Sequence, residues 1–600
     1  MFVNYISKDA SISKTINDNY ASVLISDSNG SFFSQGLEKN STFYQGFLCR
    51  FFESDEWTMF KFIESIEVID EEYKPKKNST MDINIEQKEI ANEYFSIKFV
   101  GKQTLALTPK HKIKIKILLD PRKIYDFSNF GRNIKIYEEN DVIIAEYENN
   151  GYKLFLGISG FDDFKFSENW IERNYEFDAE RSKSGKWFVF DGITLNIEHE
   201  IKISQALTKE ELIELLKSNS ENNDTEANEI NELSNNFNFE NDDEKVAFLC
   251  SRKAMNDLIV DELGIYAGYY WFFQYWTRDE SISLGGLIID KNQKNETVVK
   301  NVIKRLFSQI LEDGRLPNRF PHAALGSADG IGWAVKRFSQ YIELFDTNEK
   351  EEILKKIEIS CERLIGNYSE GCFIMNKPKE TWMDTNGSTT DVREGARIEI
   401  QALQLNMYKL LKENIKDSKY QELEDKLRNK VKDMFFKNQI LCDGVKKENE
   451  NWIPDKTQRP NIFLAYYIYP ELLSEEEWIN AFDNALDKLW LDWGGLSTID
   501  KNHEWFKEHY TGENDDSYHR GDSWYFVNNI AAIAMHKLNK NKYKEKIDSI
   551  KNASIKDILE KGILGGASEV SSAKEQRPEG TWQQAWSVST FIELIYELKN

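Results

Sequence analysis

The stretch 526–535, FVNNIAAIAM, is apolar on nearly every side of a helix, and a helix without a polar face has to be surrounded by protein. Five other stretches share this property: LGGLII at 284–289, IGWAVKRF at 331–338, IQALQLNMY at 400–408, NIFLAYYIY at 461–469 and WSVSTFIELIY at 586–596. Helical periodicity places about twelve helices beyond Asp242, near 243–262, 279–291, 295–313, 328–346, 348–367, 393–413, 417–437, 459–468, 473–490, 519–537, 540–561 and 582–598. The even-numbered segments hold the apolar stretches and the odd ones carry a Lys/Glu face. Inner helices alternating with outer ones, closed into a double ring, satisfy that order.

Upstream the period changes. Residues 1–205 hold short runs rich in β-branched and aromatic residues, such as 96–100, 112–119, 142–147, 152–158 and 186–190, separated by Gly, Asn, Asp or Pro. This is the outline of an antiparallel β-sandwich. Residues 206–242 are acidic and Asn-rich, with a capped helix expected at 208–218 and a solvated connector at 220–243. The expected division is therefore a sandwich domain at 1–205, an acidic helical linker at 206–242 and a helical domain at 243–600. With 600 residues, 40% of them hydrophobic, the chain is long enough for two cores.

Charge narrows the partners. There are 101 Asp+Glu against 77 Lys+Arg, a formal charge of −24, which repels phosphate backbones and anionic lipid; nucleic acid and membrane surfaces are not expected partners. A neutral ligand meets no such penalty. The five cysteines, Cys49, Cys250, Cys361, Cys372 and Cys442, form no CxxC pair and read as reduced and mostly buried. No basic-then-apolar leader and no run of about 18 apolar residues is present, so a cytoplasmic protein is expected. Oligomeric state is not encoded.

The loops before the inner helices carry the unusual residues: Trp276-Thr277-Arg278-Asp279, Asn318-Arg319-Phe320 with Ser327-Ala328-Asp329, Trp382-Met383-Asp384, Gln458-Arg459-Pro460-Asn461, Tyr518-His519-Arg520-Gly521, and Glu569 through Trp586. In an alternating ring these loops open on one rim. Two of them set an acidic residue beside tryptophan, about 185 residues apart, as hydrolysis of a glycosidic bond needs when one carboxyl protonates the leaving oxygen and another activates water. On the residues alone, Asp384 also reads as an Asx turn before Asn386-Gly387, and Asp279 and Asp329 as helix N-caps. Glu569 follows the flexible run Gly565-Gly566-Ala567-Ser568, and by spacing Glu575 or Glu579 serves as well.

These loops resemble the amylo-α-1,6-glucosidase family, the glucosidase part of glycogen debranching enzymes. The resemblance spans residues 263–598 and rests on AGYYWF (267–272) leading into WTRD (276–279), LPNRF (316–320) with SAD (327–329), TWMD (381–384), IEIQAL (398–403), RPN (459–461), YHRG (518–521), and Ser568-Glu569 with QAWS (584–587). It implies an (α/α)6 barrel after a β-rich domain, acting on branched α-glucan such as glycogen or limit dextrin by removing single α-1,6-linked glucose units. It also implies Asp384 as general acid and Glu569 as general base, giving inversion; an acid has to stay protonated near neutral pH, so a raised Asp384 pKa is expected, from desolvation by Trp382 and the charge of neighbouring carboxylates. Arg278 and Asp279 match positions that hold hydroxyls of the terminal glucose. Arg319, Glu399 and His519 are further candidates of the same kind, and Trp276, Trp382 and Trp586, with Trp333 and Trp524, are candidate sugar platforms. The family has Gly where Thr277 stands, and WTRD is the form of the related glucoamylases, which attack α-1,4 ends. An exo-α-1,4-glucosidase, an inverting phosphorylase and a non-catalytic α-glucan-binding protein are the competing readings. No metal or cofactor motif is present, the acidic string 513–516 reading as a solvated loop. About 200 β-rich residues leave no room for a (β/α)8 transferase of about 250 residues.

Overall fold

The computed structural model describes the chain except for residues 54–55, 129, 150, 182–183, 219–236, 288, 290–291, 322–325 and 416. The strands of the first 206 residues form a ten-stranded and a seven-stranded sheet. All their described pairings are antiparallel except that of Phe2–Ile6 with Thr80–Asn84. The period of two is plain in Ile113–Lys123, where Ile113, Ile115 and Ile117 are buried and Lys114 and Lys116 are not. Helix α1 spans Glu176–Glu180. Helix α2, Lys209–Lys217, follows as expected, capped by Thr208, whose hydroxyl accepts from the Glu211 amide at 3.2 Å. Most of the expected connector lies outside the described residues. Helix α3 covers Asp242–Leu258.

Two compact units result: Met1–Asp261 with Ile558–Gly566, and Glu262–Asp557 with Ala567–Asn600. In the first, Lys14 pairs with Asp243 of α3 at 2.5 Å, and the Ser22 amide donates to the Gly562 carbonyl at 2.8 Å.

The second unit contains α4 (Thr277–Leu287), α5 (Gln293–Phe307), α6 (Gly330–Tyr341), α7 (Thr347–Tyr368), α8 (Ile398–Ile415), α9 (Ser418–Phe435), α10 (Asn461–Ile468), α11 (Glu475–Leu489), α12 (Tyr525–Asn539), most of α13 (Lys544–Glu560) and α14 (Ala585–Lys599). Helices α4, α6, α8, α10, α12 and α14 each pack on the next, and α14 returns to α4. That closed inner ring makes the unit an (α/α)6 barrel. Burial follows the pattern: all eleven residues of α4 are buried, whereas outer helix α7 buries the stripe Ile353, Ile357, Cys361 and Leu364. The ring closes tightly where a Cβ on Gly286 would stand 2.8 Å from the Ser589 carbonyl oxygen.

The inner helices other than α4 begin later than periodicity places them. Residues 519–524 and 393–397 precede α12 and α8 because two-residue ladders occupy those positions: Ser523–Trp524 pairs with Val570–Ser571, and Ala396–Arg397 with Val445 and Gly444. Similar ladders join Tyr275–Trp276 to Arg319–Phe320 and Gln583–Gln584 to Gly268–Tyr269. They lock the rim loops.

Beneath the rim lies a buried charge cluster centred on Asp443. Its carboxylate accepts from Arg393 (two bonds of 3.0 Å), Arg397 (3.1 Å) and Asn461 (2.7 Å), with the Arg459 Nε at 3.8 Å. Burial pushes the carboxyl up, and the charges of Arg393, Arg397 and Arg459 more than offset it, holding it well below the usual range. Two bonds tie the 381–382 loop to this cluster: Arg393 donates to the Thr381 hydroxyl at 2.8 Å, and the Trp382 indole N–H to Asn461 at 2.7 Å.

Two stability measurements follow. Gly286→Ala should lose about 1–3 kcal/mol in chemical denaturation, because crowding against backbone outweighs the helix-propensity gain of about 1 kcal/mol. Asp443→Asn should lose about 3–5 kcal/mol, since it strands buried guanidinium charge. In the parent the Asp443 contribution is fully present above the ordinary carboxylate range and is lost as pH falls through its depressed value.

Candidate active site

Asp384 leaves the TWMD loop with about a third of its side chain exposed. His519 Nε2 lies 3.4 Å from its Oδ1 and Arg278 Nη1 3.7 Å from its Oδ2. Burial presses the carboxyl upward, but the His519 hydrogen bond and the Arg278 charge outweigh it, and the net shift is downward. The sequence reading expected the reverse, from Trp382 and neighbouring carboxylates. The His519 hydrogen bond and then the Arg278 charge decide the sign, and periodicity does not reveal which loops supply them.

His519 is buried, and its imidazole is pushed down to about 4, by burial first and then by Arg520 and Arg459. It is therefore neutral near pH 7, donating from Nε2 to Asp384. Its ring stacks on Trp524 at 5.1 Å and meets Trp382 edge-on at 5.4 Å, and Arg459 holds its carbonyl at 3.1 Å.

The neighbouring residue, Tyr518, donates a short hydrogen bond to Glu569 Oε1. Burial and then the Glu569 charge raise its phenol well above the ordinary value, so it remains a donor. The other Glu569 oxygen accepts from the Thr581 amide at 3.0 Å. A Cβ on Gly580, whose φ is +63°, would stand 2.1 Å from Oε2. Gly580, rather than the Gly565-Gly566 pair, is thus the glycine that the Glu569 carboxylate requires. Of the alternatives by spacing, Glu575 is exposed and Glu579 pairs with Arg577 at 3.3 Å.

Arg278 and Asp279 sit in the first turn of α4. They are not paired with each other: Arg278 Nε donates to Asp329 at 2.7 Å, and Gln584 donates to Asp279 at 2.9 Å. Asp329 precedes α6 but makes no side-chain cap; its carboxylate serves Arg278. Burial lifts the Asp279 carboxyl to about 8 against the Arg278 charge, with Glu569 and Asp384 adding to the rise. The charges of both candidate catalytic carboxylates thus act on Asp279. Thr277 is buried and donates to the Pro317 carbonyl at 2.5 Å, a bond that anchors the neighbouring loop.

The remaining candidates occupy different layers. Trp276 is half-buried, with the Arg319 guanidinium 5.6 Å from its ring centre. Trp382 is fully buried against Trp524 and Phe526, and Trp333 is likewise buried. Trp586 stacks on Phe526 at 4.2 Å. Glu399 lies behind the rim, its carboxylate taken by Arg393 at 2.9 and 3.2 Å. Asp516, of the acidic string, accepts the Ser388 amide at 2.5 Å, tying its loop to the one after Asp384. Asp384, His519, Arg278, Asp279 and Glu569 are thus brought together, with Tyr518, Gln584, Thr581 and Gly580 added by the structure. Tyr518 and Gln584 stood in the quoted motifs without a role; nothing in the sequence marked Gly580 or Thr581.

The whole chain is similar in fold to a bacterial glucoamylase crystallised with acarbose: TM-score 0.64 at 12% identity, covering 99% of this chain and 97% of that one. A wild-type glycosidase aligns over 60% of this chain and 99% of its own, with TM-score 0.43 and 11% identity. A comparison with curated protein sequences gave no match. Residues 244–593 match the amylo-alpha-1,6-glucosidase family, which covers every rim loop and both candidate catalytic carboxylates. The chain therefore belongs to the amylo-alpha-1,6-glucosidase family of glycoside hydrolases.

Proposed function

We propose that this glycoside hydrolase is an inverting amylo-α-1,6-glucosidase that removes single α-1,6-linked glucose units from glycogen or limit dextrin. One observation carries the reading: two consecutive residues, His519 and Tyr518, reach the two carboxylates, His519 to Asp384 and Tyr518 to Glu569. In this scheme Asp384 protonates the glycosidic oxygen as the bond to the anomeric carbon breaks. Glu569 takes a proton from the water that attacks the opposite face, and β-glucose leaves first. A bound glucose covers the exposed part of Asp384 and removes its water, which raises the carboxyl toward the protonated form the step requires.

Hydroxyl recognition falls to Arg278 and Asp279, the latter protonated near neutral pH and able both to donate and to accept. Trp276 with Arg319, and Trp586, border the sugar. The buried indole N–H groups of both tryptophans and the Nδ1 of His519 have no protein partner, which suits a ligand rich in hydroxyls. Five free thiols, four of them buried, support a reducing cytoplasmic setting. Among the described residues no helix is long and apolar enough to cross a membrane.

The second reading, an exo-α-1,4-glucosidase, is favoured by the WTRD motif and by the likeness to a glucoamylase bound to acarbose. The buried, loop-anchoring position of Thr277 lessens the weight of that motif. Glucose release from singly branched maltooligosaccharides and from linear ones separates the two readings. Faster release from the linear substrate decides for α-1,4.

Asp384→Asn and Glu569→Gln should each lower kcat about 10²–10⁴-fold, while the parent releases the β-anomer by NMR. The α-anomer as first product overturns inversion. If Asp384 is the acid, kcat/KM should fall as pH rises through its depressed pKa. His519→Ala removes a bond that depresses it, so the falling limb should move to higher pH; an unmoved limb counts against Asp384.

A further inference from the structure

The rim lies at the N-termini of the inner helices. At the other end of the ring, the C-terminal halves of α6, α8, α10 and α12 border a cavity of about 360 Å³. Three lysines line it, Lys336, Lys409 and Lys537, together with the carboxylates of Glu413 and Glu471. Lysines on an acidic protein ordinarily pair with carboxylates. Lys409 and Lys537 fit that account, since they pair with Glu471 at 2.6 Å and with Glu597 at 2.7 Å.

Lys336 does not. Its Nζ reaches the Ile468 carbonyl at 3.3 Å and no carboxylate within ion-pair distance. The nearby Glu593 is occupied by Arg337 at 2.7 Å and by the Tyr467 hydroxyl. Burial first, then Arg337, Lys537 and Lys409, push the Lys336 ammonium down to about 7, with Glu471 opposing. A second observation is independent of charge. Asn406 also lines the cavity, is 7% exposed, and its Nδ2 has no hydrogen-bond partner. A buried donor beside an ammonium without a counter-charge calls for a ligand that accepts hydrogen bonds and carries negative charge.

We propose that this cavity is a binding site for a small oxyanion of the phosphate class, held by Lys336 and Asn406, with the Glu471-paired Lys409 and the Glu597-paired Lys537 at its border. The volume exceeds that of a bare ion, and the rings of Tyr466 and Tyr467 line it. A phosphate monoester of a sugar therefore fits as well as free phosphate. An occupant would brace four helices whose opposite ends carry the rim. The site is independent of the glucosidase reading.

Isothermal titration with inorganic phosphate, in a buffer free of oxyanions and at fixed ionic strength, tests it. A single saturable site is expected, with a rise in Tm. Lys336→Gln and Asn406→Ala should each weaken it about tenfold, leaving the circular dichroism spectrum unchanged. Lys537→Gln, at a half-exposed side chain where folding is not at risk, should weaken it severalfold. A parallel titration with a hexose phosphate distinguishes the sources: tighter binding than free phosphate assigns the sugar ester, and equal binding assigns the phosphate group alone. No saturable binding of either at millimolar concentration, or binding that all three variants retain, overturns the proposal.

Discussion

One carboxylate, Asp443, organises the rim. A buried anion in contact with Arg393 and Arg397, and within 4 Å of Arg459, is tolerable only because each guanidinium also has a second acceptor. Those second bonds are the useful ones. Arg393 goes on to Glu399 and Thr381, Arg397 to Asp455 at 2.6 Å, and Arg459 to Asp391 at 2.5 Å and the His519 carbonyl. The cluster thereby fixes the loop that carries Asp384 and the backbone of the histidine that touches it, from opposite sides. Hydrogen-bonded ions have narrow geometric tolerance, which loops without regular secondary structure otherwise lack.

Above that layer the two carboxylates meet different surroundings. Glu569 is buried and accepts from a phenol and a backbone amide. Asp384 keeps access to solvent and stands beside an arginine and a neutral imidazole. Similar side chains in dissimilar environments differ in proton affinity, as the proposed division into acid and base requires. The Asp384 carboxyl is lowered first by the His519 hydrogen bond and then by the Arg278 charge, so its protonation depends on both neighbours.

The two ends of the barrel contrast in their chemistry. At the rim, acidic groups and aromatic rings come together. At the far end, three lysines and an unpartnered amide share a cavity lining with Glu413 and Glu471. The rim set comes from α4 and the loops before the inner helices, the far set from the C-terminal halves of α6, α8, α10 and α12; helices without a polar face leave their ends as the places for polar chemistry.

The helical order was legible because it rests on local pattern. All twelve expected helices are present, and the sandwich strands at 142–147 and 152–158 fall within observed ones. Legible too were the rim loops, whose residues are too polar for their apolar neighbourhood. The starts of α8 and α12 were misplaced because a two-residue ladder depends on partners such as Val445 for Ala396 and Ser571 for Ser523, far along the chain. The roles of Asp329, Tyr518 and Gly580, and the direction of the Asp384 shift, were hidden for the same reason. Amino-acid order alone determines which segments must be buried and in what succession, since periodicity is a property of neighbours. Which charge stands beside which carboxylate is set only when distant loops meet, because electrostatic and steric contacts act through space rather than along the chain.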